Sequence, residues 1–253
     1  MKKTNILLSA LAVFTLGEVA VQAQTYTYHA GDLLAAFRKS GSSFDLIVDL
    51  GSASSFQSGS SMSLDLSSGL TSVFGSANAS GVYWSVFGYV NTSSSPLGAQ
   101  NTLFVTDPRS DITIQNDPNS SMTSSGQGQV VSKMVAIANG ATSGSAVILG
   151  NQIVEVPVGL NSGGNPVSYT VGVGSLGDFN GTWAPAVENT TAGSTTASDL
   201  FQQNPGASNT GSYLGEFTLN SAGILAFNPV PEPSTWAMMG SGVLALLALR
   251  RRK

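Results

Sequence analysis

The chain has 253 residues, 42% hydrophobic and only 9% charged, against roughly a quarter charged in an ordinary soluble domain. It can bury a core, but its surface is rich in Ser, Thr, Gly and Asn, a composition common in secreted proteins and unusual for a cytosolic enzyme. Residues 24–230 hold four cations (Arg38, Lys39, Arg109 and Lys133) against twelve carboxylates, so the body lacks the basic stripe that a nucleic-acid partner requires. The absence of cysteine excludes disulfides, thiolate nucleophiles, iron–sulfur clusters and cysteine zinc sites.

The chain opens with an address. Lys2 and Lys3 form a basic start, Ile6 to Leu16 an apolar run, and Val21-Gln22-Ala23 puts small residues where signal peptidase reads. Residues 1–23 are therefore expected to be a signal-peptide helix, cut between Ala23 and Gln24. The run is short and Glu18 interrupts it, which argues against a permanent transmembrane anchor.

Residues 24–229 read as one β-rich domain. Gly31-Asp32 before LLAAFRKSG suggests a short helix with Asp32 as N-cap, Arg38 and Lys39 in the last turn and Gly41 just beyond. FDLIVDL alternates, with Phe44, Leu46, Val48 and Leu50 on one face and Asp45 and Asp49 on the other. MSLDL repeats the alternation. GVYWSVFGYV is apolar on both faces and reads as a central strand. TLFVT and DITIQ are expected strands on either side of the turn former Asp107-Pro108. In QVVSKMVAIANG, Val130, Met134, Ile137 and Ala138 recur at helical spacing and predict a helix of two to three turns. Strands resume in SAVIL, QIVEVPV, VSYTVGV and SYLGEFTL, the last continuing as a hairpin through Ser221-Ala222-Gly223 into ILAFN. Segments around 51–61, 91–100, 118–129 and 189–212 read as loops, the last long enough to be mobile. The sum is a mainly β fold, an antiparallel β-sandwich or a partly open barrel with one or two short helices. No tandem repeat supports a β-helix.

The chain closes with a second address, residues 230–253. Val230-Pro231-Glu232-Pro233-Ser234-Thr235 leads into an uncharged run, Trp236 to Leu249, and then Arg250, Arg251, Arg252 and Lys253. As a helix the run would be about 21 Å long, short of the ~30 Å hydrocarbon core. The four cations belong at cytoplasmic headgroups and Trp236 at the opposite interface, so a C-terminal transmembrane helix over 236–249 is expected with some local thinning.

Those three parts in order resemble the PEP-CTERM sorting signal of exported proteins of Gram-negative bacteria. The resemblance implies that Pro231, Glu232 and Pro233 are read by an exosortase, a membrane cysteine protease-transpeptidase, that the tail is removed, and that the protein reaches the cell surface or extracellular polysaccharide. Arg250 to Lys253 would fix the topology. The stretch Tyr28-His29-Ala30-Gly31-Asp32-Leu33-Leu34-Ala35-Ala36-Phe37-Arg38, with Leu46 to Gly51 and Trp84 to Gly88, resembles the opening of a set of PEP-CTERM proteins from environmental bacteria that carry no assigned activity. The class also implies O-linked glycans on Ser/Thr loops.

Within the body the candidate chemistry is sparse. His29 is the single histidine, and no Gly-x-Ser-x-Gly elbow accompanies it, so a catalytic triad is not expected. Paired carboxylates could cleave glycosides: Asp45 and Asp49, four apart on a strand, stand about 13 Å from each other, too far, and the other candidate pair is Asp107 with Asp111, which flank Pro108. Asp107, Asp111 and Asp117, with Asn116 and Asn119, are the calcium candidates, without EF-hand spacing; no other cofactor is expected. Trp183 is the candidate ligand-stacking aromatic, whereas Trp84 belongs to the core. The expectation is a non-enzymatic surface or matrix protein, processed by signal peptidase and exosortase and held transiently at the membrane. Polysaccharide is the candidate partner. The alternatives are a polysaccharide- or ice-binding module and, less favoured, a secreted glycoside hydrolase.

Overall fold

Leu33 to Phe37 is apolar at five successive positions, and all five are fully buried. The computed structural model describes residues 27–230, apart from 79, 94, 112, 117–122, 144–145, 151, 161–167, 176, 180–186, 191–195 and 207–210. In it this run is a strand, β1 (Asp32–Lys39), and not the expected short helix. A helix of that length hides one stripe. A strand with neighbours on both sides offers Leu33, Ala35 and Phe37 to one layer and Leu34 and Ala36 to another. β1 runs antiparallel to β2 (Phe44–Ser52) and to β4 (Val82–Tyr89), the expected central strand. The Asp32 carboxylate, expected to cap a helix, accepts the His29 backbone N–H at 3.1 Å.

All pairings build a single antiparallel sheet. From one edge the order is β3 (Met62–Asp65), β11 (Ile224–Pro229), β10 (Ser212–Leu219), β9 (Thr196–Gln203), β5 (Leu103–Pro108), β4, β1, β2, β7 (Ile153–Pro157) and β6 (Val147–Gly150), with β8 (Asn189–Thr190) beside β4. The expected hairpin is present as β10–β11, with Phe217 opposite Phe227 and Leu219 opposite Leu225. The sheet curls into a half-barrel whose ends do not pair. That is the open-barrel form of the expected mainly β fold.

Other expected elements differ. Asp107-Pro108, expected as a turn, ends strand β5, and the expected loop 51–61 holds the end of β2 and a short helix over 53–57. DITIQ is no strand; the Asp111 carboxylate accepts the Thr113 N–H at 2.9 Å and closes a turn. VSYTVGV gives the short helix α4 (Tyr169–Val173), because the Ser168 hydroxyl accepts the Val171 N–H and caps it. The expected loop 189–212 contains β8 and β9. Four helices are described, not one or two: α1 (Ala53–Gln57), α2 (Ser67–Phe74), α3 (Ser124–Ala141) and α4. Among the described residues no helix is long and apolar enough to cross a membrane. The expected signal peptide 1–23 and span 236–249 lie outside the described residues.

Each face of the sheet has its own core. The concave layer gathers Trp84, Phe37, Phe104 and Leu46 with Phe217 and Phe227 from the other half of the sheet. Phe56 of α1 fills the space between, its ring 5.0 Å from Phe227 and 5.7 Å from Phe217. Helix α2 lies across the open side. At one end the Leu66 N–H donates to the Gly223 carbonyl in the β10–β11 turn (2.9 Å). Further along, Gly69 packs so closely that a Cβ there would stand 3.2 Å from Ile153 and 3.4 Å from Leu46. On the convex face α3 buries Val130, Met134, Ile137 and Ala138, the residues its spacing marked, against Leu34, Ile47, Phe87 and Val154. It runs 18 residues, longer than expected, from a Thr123 cap whose hydroxyl accepts the Gly126 N–H.

Gly223 and Gly41 share a left-handed backbone (φ 82° and 79°), but only Gly223 is crowded, a Cβ there lying 2.9 Å from Ser67 Cα. Gly41→Ala is expected to cost about 1 kcal/mol from backbone strain alone. Gly223→Ala should cost about 1–3 kcal/mol more, because it also pushes α2 off the hairpin. Urea unfolding of the two variants checks the difference.

Candidate functional site

Buried charge gathers at two places on the convex face. At the first, Arg38 leaves the end of β1 and meets Glu188, which precedes β8. The Arg38 Nε donates to Glu188 Oε1 at 2.7 Å and Nη2 donates to Oε2, a two-pronged pair. The guanidinium also lies over the Tyr83 ring, 5.0 Å from its centre. Next to it, Asp45 of β2 accepts the Thr170 backbone N–H (2.7 Å) and its hydroxyl, both at the start of α4. Tyr169 and Ser85 share a hydrogen bond of 2.6 Å. Burial pushes the Asp45 carboxyl up to about 6, against the pull of the Thr170 bonds and Arg38. Burial likewise lifts Asp49 to about 6, opposed by the Gly51 N–H. The face read as polar in FDLIVDL is thus covered, with Asp45 fully buried and Asp49 nearly so.

The second place is a row across four strands. Asp107 of β5 stands opposite Asp199 of β9, Asp199 opposite Glu216 of β10, and Glu216 opposite Asn228 of β11. Arg109, just past β5, serves the row. Its Nε and Nη2 donate to Asp199 Oδ1 at 2.9 and 2.6 Å, its Nη1 reaches Glu216 Oε2 at 2.6 Å, and its Nη2 donates to the Tyr213 hydroxyl at 3.2 Å. The Asn116 backbone N–H donates to Asp199 Oδ2 at 2.7 Å. Burial and the Asp199 charge push the Tyr213 hydroxyl up to about 12. Of the calcium candidates, Asp107 and the accompanying Asn116 belong to this assembly, Asp111 is exposed in its own turn, and Asp117 lies outside the described residues. Among the described residues no three acidic or histidine side chains come together as a metal site.

A third feature lies where the sheet ends. β11 runs to Pro229, and the Val230 N–H still donates to the Leu214 carbonyl of β10 at 3.2 Å. The model of one protein family, the PEP-CTERM protein-sorting motif, matches residues 229–253, beginning on the last residue of that strand. The chain carries a PEP-CTERM sorting motif. It is therefore an exported protein, sorted by an exosortase and transiently anchored at the membrane. No curated protein and no solved structure matches the chain.

The PEP-CTERM residues singled out from the sequence, Pro231, Glu232, Pro233 and Arg250 to Lys253, lie outside the described residues, as do Ala23, Gln24 and Trp183. Sequence reasoning missed the Arg109 row. Its only local signal was a lone cation among carboxylates, because Asp199 and Glu216 are 90 and 107 positions away.

In the unfolded chain Asp45 ionises near ~4. Between there and about 6 the folded state keeps a proton that the unfolded state has lost, so stability falls as pH rises through this window and levels off above it. The melting midpoint should drop as pH is raised across the window. Asp45→Asn, with no proton to lose, should remove its share of the slope and leave that of Asp49. Separately, Arg109→Met should cost about 3–5 kcal/mol by stranding the buried Asp199 charge. Adding Asp199→Asn, which keeps an acceptor for Asn116, should recover most of it in urea unfolding.

Proposed function

We propose that this PEP-CTERM protein is a non-enzymatic component of the outer cell surface or the extracellular polysaccharide matrix. Its β-rich body is the cargo, and its C-terminal motif is the address. The observation that carries the reading is the family match over 229–253, directly continuous with the last strand of a folded body. The body's chemistry supports it: Arg38, Glu188, Asp45, Arg109 and Asp199 each have partners within the fold. A hydrated surface with few charges suits contact with neutral polysaccharide.

The test is expression of the full chain in a Gram-negative strain that has an exosortase and in the same strain with that gene deleted. In the first, mass spectrometry should find a body starting at Gln24, without Arg250–Lys253, in the surface or matrix fraction. In the second, and for a Pro231→Ala/Glu232→Ala/Pro233→Ala variant, full-length tail-bearing protein should stay with the membrane. Equal release from both strains would overturn the reading.

A further inference from the structure

The sorting motif begins where the sheet is still holding the chain. Residues Leu225 to Phe227 pair on both sides, with β10 and with Met62–Leu64 of β3. Phe227 is fully buried, its ring 4.8 Å from Phe217 and 5.0 Å from Phe56. Beyond it the β3 pairing has ended, and among the described residues the backbone partners of Asn228, Pro229 and Val230 are those of β10, with Gly59 packed beside Pro229. Asn228 faces Glu216, with its side-chain amide 3.3 Å from the carboxylate, and Pro229 faces Gly215. Where β10 meets β9 there is a bulge between Tyr213 and Gly215. Its extra residue, Leu214, gives its carbonyl to Val230. Gly215 sits at φ 150°, and a Cβ there would collide with the Asn228 carbonyl and stand 2.6 Å from Phe227 Cζ. Only glycine lets β11 lie this close.

A processing enzyme binds its substrate as extended chain whose backbone groups are free, so susceptibility follows the burial and hydrogen bonding of the backbone around the cut. We propose that the Leu214–Gly215 clamp gates exosortase processing, because Asn228 to Val230 must leave β10 before the enzyme can engage the N-terminal flank of Pro231-Glu232-Pro233. The inference rests on the exosortase reading above. Processing breaks one peptide bond; the acyl group of the body passes to water or to an acceptor amine, and the tail departs with a free amine. Phe227 sets the limit of release. The three residues past it open locally, whereas withdrawing Phe227 opens the concave core. Leu214 and Gly215 are positioning residues for a reaction performed by another protein.

The experiment is a pulse-chase on the full chain in the exosortase-bearing strain, reading the half-time for loss of the tail. A six-residue Gly-Ser insert between Asn228 and Pro229 leaves the matched segment intact but moves it off the sheet. It should shorten the half-time roughly three- to tenfold, the gain for abolishing an opening step of one or two backbone hydrogen bonds. The same insert between Ala207 and Ser208 should leave the half-time at the wild-type value. Gly215→Ala, with a melting curve confirming that the body stays folded, should also speed processing. A wild-type half-time for the insert at 228/229 would overturn the gate while leaving exosortase sorting intact. A wild-type chain that keeps its tail would overturn both.

Discussion

Trp84 and Phe87 point to opposite faces of β4, and both are fully buried. A strand of that kind cannot lie at the surface, so the sheet built around it has to be covered twice. One cover comes from the sheet itself, which curls until Phe217 and Phe227 reach the layer of Trp84, with α1 and α2 filling the remaining side. The other comes from α3 and α4, which lie over β1, β2, β4 and β7. The helices are a consequence of the doubly apolar centre. Helix α2 answers a second need as well, because strands β3 and β6 end the sheet without meeting. A helix that touches both the β10–β11 turn and the β2–β7 side links ends that hydrogen bonds do not.

A chain with four cations in its body places two of them inside. Arg38 and Arg109 lie at the margins of the convex helix cover, each joined to carboxylates far away in sequence. Buried pairs of this kind contribute little net stability but make wrong registers costly, since a shift by one residue strands a charge. The row from Asp107 to Asn228 fixes β5, β9, β10 and β11 relative to one another. Without disulfides, register here depends on packing and on these arginines.

What the sequence shows follows from the range of the interactions involved. The C-terminal motif is a linear signal and was legible in full. GVYWSVFGYV, the α3 stripe and the β10–β11 hairpin were legible because their determinants are local. LLAAF was not, since an apolar run without polar punctuation has no period, and only the presence of β2 and β4 on either side decides for a strand. TASDLFQQ was hidden because its apolar residues, Leu200 and Phe201, are adjacent and serve opposite faces. Asp45 looked solvent-facing because α4, which covers it, was itself read as a strand. The arginine clusters depend on partners 90 to 150 positions apart, beyond the reach of any motif.

The pairing of β3 with β11 places residues 62–65 against 224–227, the largest sequence separation of any strand pair described. A chain that crosses a membrane from its N-terminus delivers β3 early and its partner last. The half-barrel's first edge therefore waits, incomplete, until almost all of the body is outside, and such late non-local pairing is slow to form. The strand that ends the wait is the one joined to the sorting motif. The last pairing of the sheet therefore has to await the segment that leads directly into the motif.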